Sequence, residues 1–275
     1  MYARALSDKA KYISQKNGVS TNLVINHYFF DAILKRLSKS KYKKTFILKG
    51  GYLLAIQFGI ATRTTSDLDI LVNEIEFKKD QISETIEEIL GVEIDDLIEF
   101  KINAIEDIKD GYGVRYRILC KLENIRQYVN IDICYGDPVT PKVLKKSYTS
   151  IVDNERINLN VYPFETILAE KLQNVISLGI ASSRSKDLFD LYIIKKLELN
   201  KLNQDSVKYA VEKTFKHRKT ELDLENMMNT LNDIKNSDIQ KNLWDNYAKK
   251  HYFAENINYE DLINNVIEMV YDIVK

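Results

Sequence analysis

Apolar side chains recur at helical spacing between Ala3 and Lys39, with Leu23, Ile25 and Tyr28 followed by Phe30, Ile33, Leu34 and Leu37. Ser20-Thr21 is a helix start signal inside that stretch, so two amphipathic helices are predicted to open the chain. The period then changes. Thr45-Phe46-Ile47-Leu48 reads as a short strand stopped by Gly50-Gly51, and Tyr52 to Phe58 as a helix that Gly59 ends. Asp67-Leu68-Asp69-Ile70-Leu71-Val72 reads as a second strand, and residues 76–90 (Glu76, Phe77, Ile82, Ile86, Ile89, Leu90) as an acidic amphipathic helix. Three strand-like runs follow at 97–105, 112–122 and 127–135, with Gly111-Tyr112-Gly113 as the turn between the first two, which is the pattern of a meander.

Pro138, Pro141 and Pro163 fall together, and nearly everything beyond Phe164 has helical periodicity. The expected organisation is therefore an α+β domain over residues 1–160 and a helical domain over 161–275, without internal repeats. A chain of 275 residues with 45% hydrophobic content can bury a sizeable core, which excludes disorder as the main theme. Two cysteines, Cys120 and Cys134, are too few for a disulfide framework and lack metal-site spacing. No long uncharged apolar run and no signal-peptide pattern occur, so a reduced, cytoplasmic protein without a membrane span is expected.

Charge cancels globally, with 40 Lys and Arg against 40 Asp and Glu, but not locally. Residues 1–66 hold 12 basic and 2 acidic residues, a net of +10, whereas 67–110 hold 4 basic and 15 acidic, a net of −11. Such blocks suit an anionic ligand and a cation respectively, or solvated helix faces.

The acids become specific at two places. Asp67 and Asp69 lie at i and i+2 of a strand and so share a face, where like charges are costly unless a cation sits between them. In Val129-Asn130-Ile131-Asp132-Ile133-Cys134, Asp132 faces away from the isoleucines; a hydrogen-bonded structural role is its alternative. Three carboxylates on neighbouring strands fit a two-Mg²⁺ site for phosphoryl or nucleotidyl transfer. Lys49-Gly50-Gly51 runs a strand into a helix start, where backbone N–H groups could receive phosphate, or where a plain left-handed turn is needed.

Together Leu48-Lys49-Gly50-Gly51, Arg63-Thr64-Thr65-Ser66-Asp67-Leu68-Asp69, Ala169-Glu170-Lys171-Leu172 and Arg184-Ser185-Lys186-Asp187-Leu188-Phe189-Asp190-Leu191 resemble the AbiEii/AbiGii-type toxins. These are nucleotidyltransferase-like members of the DNA polymerase β superfamily, found in type IV toxin–antitoxin and abortive-infection (phage-defence) systems. The resemblance implies a mixed sheet with flanking helices followed by a helical C-terminal domain. It implies that Gly50 and Gly51 hold the phosphates of an NTP, that Asp67 and Asp69 bind metal with Asp132 as third carboxylate, and that Lys171 contacts the triphosphate. It further implies an essential acid at Asp187 or Asp190 and phosphate contacts from Lys49, Arg63, Arg184 and Lys186. Read by periodicity alone, Lys171 would be a surface lysine and Asp187 and Asp190 a solvated face or a helix-start charge. Tyr52 stands where the superfamily commonly has a small hydroxyl residue, and stacking on a base is an alternative use for its ring. Thr64, Thr65 and Ser66 are conceivable modification sites, or turn residues.

The best understood toxins of this kind transfer nucleotides to the 3′ end of tRNA, block translation, and are opposed by a co-encoded antitoxin, often a winged-helix repressor acting with or without stable contact. Two basic clusters suit such an RNA acceptor: Lys35, Arg36, Lys39, Lys41, Lys43 and Lys44, and Lys208, Lys213, Lys216, His217, Arg218 and Lys219 with Tyr209 and Phe215 interleaved. A protein or small-molecule acceptor, or a nucleotide- or RNA-binding module without turnover, are the competing functions.

Overall fold

The computed structural model describes residues 1–73, 79–108 and 113–275. The chain falls into two compact units, Met1–Gly136 with Leu144–Val161, and Asp137–Val143 with Tyr162–Lys275.

In the first unit α1 (Ala3–Asn17) and α2 (Thr21–Lys39) open the chain, and the Ser20 side chain accepts the Leu23 N–H as the N-cap of α2. α2 is buried on most of its circumference, from Val24 through Leu37. It packs against the sheet and against α4 (Lys79–Leu90). The expected helix at 76–90 begins earlier than α4, and residues 76–78 lie outside those described, as does the expected turn residue pair Gly111-Tyr112.

Seven strands form one mixed sheet: β1 (Phe46–Lys49), β2 (Asp67–Val72), β3 (Ile98–Asp107), β4 (Gly113–Leu122), β5 (Ile125–Tyr135), β6 (Leu144–Thr149) and β7 (Arg156–Val161), in the order β3-β4-β5-β2-β1-β7-β6. β3, β4 and β5 are the expected antiparallel meander, and β5 then lies parallel to β2. β1 is a central strand buried on both faces, which explains its continuous apolar run. α3 (Gly50–Phe58) follows it directly.

β6 and β7 were not expected. β7 alternates Ile157, Leu159 and Val161 inward and pairs in parallel with β1, while β6, with Lys145 and Lys146, is a polar edge strand. Lysines on an edge oppose sheet-to-sheet association, but they also erase the apolar signal that strand prediction uses.

The second unit is helical: α5 (Phe164–Leu178), α6 (Ser185–Leu197), α7 (Gln204–His217), α8 (Leu224–Lys235), α9 (Asp238–Lys250) and α10 (Tyr259–Val274). Asn203, Asp223, Ser237 and Asn258 cap four of these helices with side-chain acceptors. α6 is packed by α5, α9 and α10, and Phe189 on it meets Trp244 and Phe253 in the core. Among the described residues no helix is long and apolar enough to cross a membrane.

Candidate active site

One row of side chains crosses four adjacent strands of the first unit. Pairing sets Lys49 of β1 opposite Asp69 of β2, Asp69 opposite Asp132 of β5, and Asp132 opposite Arg115 of β4. Residues directly opposite in a ladder share a face. The row therefore runs cation, carboxylate, carboxylate, cation. Asp67 lies one pleat along, opposite Asn130, whose Nδ2 donates to Asp67 Oδ1 at 3.1 Å.

The β1–α3 turn is built around Asp69. Gly50 has φ +68°, and a Cβ there would stand 2.0 Å from Asp69 Oδ2 and 2.6 Å from its Cγ. Glycine is thus required twice, for the left-handed backbone and for the space. The Gly51 N–H points to Asp69 Oδ2 at 3.4 Å, so the carboxylate sits under the positive end of α3. A Cβ on Gly51 would meet Thr65 Oγ1 at 2.9 Å and Arg63 Nη2 at 3.2 Å. Arg63 is buried and its guanidinium donates to the Thr64 carbonyl. Lys49, Gly50, Gly51, Arg63, Asp67, Asp69 and Asp132 are therefore brought to one end of the sheet.

Arg115 is the residue that sequence reasoning missed. Its Nε and Nη2 donate to the two oxygens of Asp132, each at 2.7 Å, in a bidentate pair. The Asp132 carboxyl holds the Arg115 guanidinium above its ordinary pKa, with smaller contributions from Asp67 and Asp69. The signal was present: the two-residue turn at Glu123-Asn124 fixes the β4–β5 register, and that register sets Arg115 against Asp132.

Tyr52 is not a base-stacking residue. It is 2% exposed, its ring packs edge-on to His27 and Phe30, and its hydroxyl donates to Asp31 Oδ1 at 2.6 Å. Tyr148 donates to the same oxygen at 2.7 Å. Burial raises the Asp31 carboxyl despite these hydrogen bonds. His27 closes the network against the site. Burial lowers its pKa from 6.5 to about 4, opposed by a hydrogen bond to the Thr65 backbone, two residues before Asp67, while Nε2 has no partner among the described residues.

That network makes a pH prediction. The unfolded chain protonates His27 near 6.5 and the folded chain only near 4, so the unfolded state binds more protons between these values. Stability is present in full above pH 6.5 and falls as pH drops toward 4, by about 3 kcal/mol from this group. Asp31, raised in the fold, works in the opposite sense above pH 3.8. Urea unfolding of wild type and His27→Phe at pH 7 and 4.5 should show a clearly smaller acid loss in the variant. Equal losses would contradict the assignment.

In the second unit Lys171, Asp187 and Asp190 come together, and in a way periodicity did not suggest. Both aspartates are fully buried and Lys171 nearly so. Lys171 Nζ on α5 lies 2.6 Å from Asp187 Oδ1 and 2.9 Å from Asp190 Oδ2 on α6. Arg184 Nε adds a contact at 2.6 Å to the other Asp187 oxygen. Two cations meet two carboxylates, and neither a surface lysine nor a solvated acidic face is present.

The profile of the family described as nucleotidyl transferase AbiEii toxin, type IV TA system, matches residues 32–265. The chain belongs to this family. AbiEii membership makes it a nucleotidyltransferase by family, with a nucleotide substrate, a divalent metal as the family's general requirement, and an antitoxin as partner. No curated protein matches the chain. A crystal structure from H. pylori described as a nucleotidyltransferase aligns with a TM-score of 0.53 at 18% identity, over 93% of this chain and 96% of that one. JHP933 from Helicobacter pylori aligns at 0.48 and 18% identity, over 91% of each chain. At such identity the first likeness shows the fold.

For AbiEii chemistry the donors are hard oxygens, which suit a divalent cation of the Mg²⁺ type. Among the described residues no group of three or more His, Cys, Asp and Glu side chains is arranged to hold a metal ion. The reason is local, since Asp132 turns both oxygens to Arg115 and Asp67 receives Asn130. Asp67 and Asp69, half-buried on one strand face, remain a two-carboxylate donor set that fits such an ion.

The two expected RNA-binding clusters each lose members to ion pairs or to the core, while Lys39, Lys43, Lys44, Lys208, Lys216 and Lys219 stay exposed. Lys35 is nearly buried and bridges Asp153 and Glu155, and Arg36 is buried in a bidentate pair with Asp96. Lys41 pairs with Glu88. In the second cluster Phe215 is core, and Arg218 contacts Asp137 at 3.1 Å. Tyr209, with Lys213 over its ring, stays exposed.

Proposed function

We propose that this AbiEii-family protein transfers a nucleoside monophosphate from an NTP to an RNA acceptor, the 3′ end of tRNA, with Mg²⁺, and that it blocks translation as a toxin in phage defence. The observation that carries this reading is Asp69 fitted under the Gly50-Gly51 turn, with Asp67 on the same strand face. A phosphate group and a carboxylate-bound cation would then meet at the start of α3.

In this reading the acceptor hydroxyl gives up its proton to solvent, its oxygen attacks the α-phosphorus, the bond from that phosphorus to the bridging oxygen breaks, and pyrophosphate leaves. Asp67 and Asp69 would hold Mg²⁺, with Asp132, whose two oxygens are turned to Arg115, as a third carboxylate beside the ion rather than a ligand to it. When bound, the cation lowers the pKa of the attacking hydroxyl and neutralises charge on the leaving group. The N–H groups of the Gly-Gly turn and the start of α3 receive phosphate oxygens, with Lys49 and Arg63 supplying positive charge nearby. Arg115 fixes the orientation of Asp132. Lys171, Asp187 and Asp190 act as positioning residues, because the lysine charge is committed to two buried carboxylates. The antitoxin is proposed to be a winged-helix repressor.

Incubating the purified protein with Mg²⁺, each labelled NTP in turn, total tRNA and cell protein tests the acceptor. Label should migrate with tRNA and vanish on chelation. Label in a protein band would select a protein acceptor, and none anywhere would leave a binding module.

A further inference from the structure

The sheet face that bears Asp67, Asp69 and Asp132 continues outward over β4, β5 and β3. The β4–β5 ladder sets Arg117 opposite Asn130, Leu119 opposite Tyr128, and Lys121 opposite Arg126, all on the face of the Arg115–Asp132 pair. β3 adds Lys101 opposite Leu119. The reverse face of these strands is core, with Tyr116, Ile118, Val129 and Ile131 buried. The near face is open: Arg117, Arg126 and Lys101 are exposed, and Tyr128 is 44% exposed.

Two features make this more than an ordinary solvated face. The guanidinium of Arg117 lies 4.6 Å from the centre of the Tyr128 ring, so two planar groups that stack on bases are held together. Of the acids on this face of β3, β4 and β5, Glu99 is paired with Lys121 at 3.1 Å, Asp132 with Arg115, and Glu106 stands opposite Arg115, so Lys101, Arg117 and Arg126 leave the stretch net positive. Tyr128 also stands four residues from Asp132 on the same strand, about 13 Å at the usual strand rise.

We infer that this open face of β3, β4 and β5 is the docking surface for the single-stranded end of an RNA. A base stacks on Tyr128 and Arg117, Arg126 and Lys101 take phosphates, and the strand direction of β5 carries the 3′ hydroxyl to the carboxylates. The occupant is chosen by complementarity, since exposed aromatic and basic groups in one row are what unpaired bases and phosphates recognise. The inference rests on the proposed transfer reaction for its last step, and on the sheet alone for the binding.

Fluorescence anisotropy of the full-length protein with a short fluorescein-labelled single-stranded RNA reads the binding directly. Tyr128→Ala should weaken the Kd about tenfold, and Tyr128→Phe by less than about twofold. Arg117→Gln should reduce the salt slope of log Kd by about 0.7. Binding of a fluorescent NTP analogue should be unchanged in all three, and all are surface changes whose folding circular dichroism can verify. RNA bound through Tyr128 without label transfer would uphold the surface and remove the transfer reading. RNA labelled by Tyr128→Ala with unchanged KM for RNA, or an RNA affinity indifferent to Tyr128→Ala and to Arg117→Gln, would overturn the surface. So would variants that bind RNA normally but lose label in a protein band.

Discussion

Lys171→Met should destabilise the helical unit by about 3–5 kcal/mol, because it leaves buried carboxylates uncompensated. Asp187 and Asp190 have no exposed surface, and Lys171 Nζ is within 2.9 Å of an oxygen on each. The ion pair of Arg184 with Asp187 would then remain. Urea unfolding checks the size of the loss. A combined Lys171→Met, Asp187→Leu and Asp190→Leu chain should regain most of the stability, since an apolar replacement of the whole set is often neutral. If the lysine served only the triphosphate, Lys171→Met would keep wild-type stability and raise KM for NTP.

Gly50→Ala should lower transfer activity by about two orders of magnitude or more while the protein still folds. The added methyl would fall 2.0 Å from Asp69 Oδ2 and 2.8 Å from Asp69 Cβ, and the second of these cannot move without shifting β2. The side chain must leave its place under α3. The φ of +68° adds strain of about 1 kcal/mol for a residue with a Cβ. Steady-state transfer with both NTP and acceptor varied, beside a melting curve, separates the two effects. Activity within twofold of wild type would mean that Asp69 is not held where the chemistry occurs.

The parts of this molecule that could be read from sequence are those set by local rules. Asp67 and Asp69 share a face because strand periodicity is two, and Gly50 marks a left-handed turn at a strand-to-helix junction. Ser20 announces α2. What could not be read depends on a partner far along the chain. Lys171, Asp187 and Asp190 look like surface residues until α5 and α6 are packed. Lys35 and Arg36 look like an RNA patch until Asp153, Glu155 and Asp96 are seen beside them. Tyr52 follows the Gly50-Gly51 turn yet serves the core, because α2 supplies Asp31 as its acceptor. β6 hides its strand character behind lysines, and β7 behind the prolines that bracket it. Arg115 was the accessible miss, since a hairpin register predicts cross-strand neighbours once the turn is placed.

The central claim is that Asp69, seated beneath the Gly50-Gly51 turn, serves nucleotidyl transfer to RNA. Asp69→Asn tests it with the least disturbance, since the amide keeps the side-chain volume and removes the charge. With Mg²⁺, labelled NTP and tRNA, wild type should add label to the RNA 3′ end, and Asp69→Asn should fall by about 10³-fold, the effect of several kcal/mol of lost charge stabilisation. Equal labelling by the two proteins, or no RNA labelling by wild type with any of the NTPs, would contradict it.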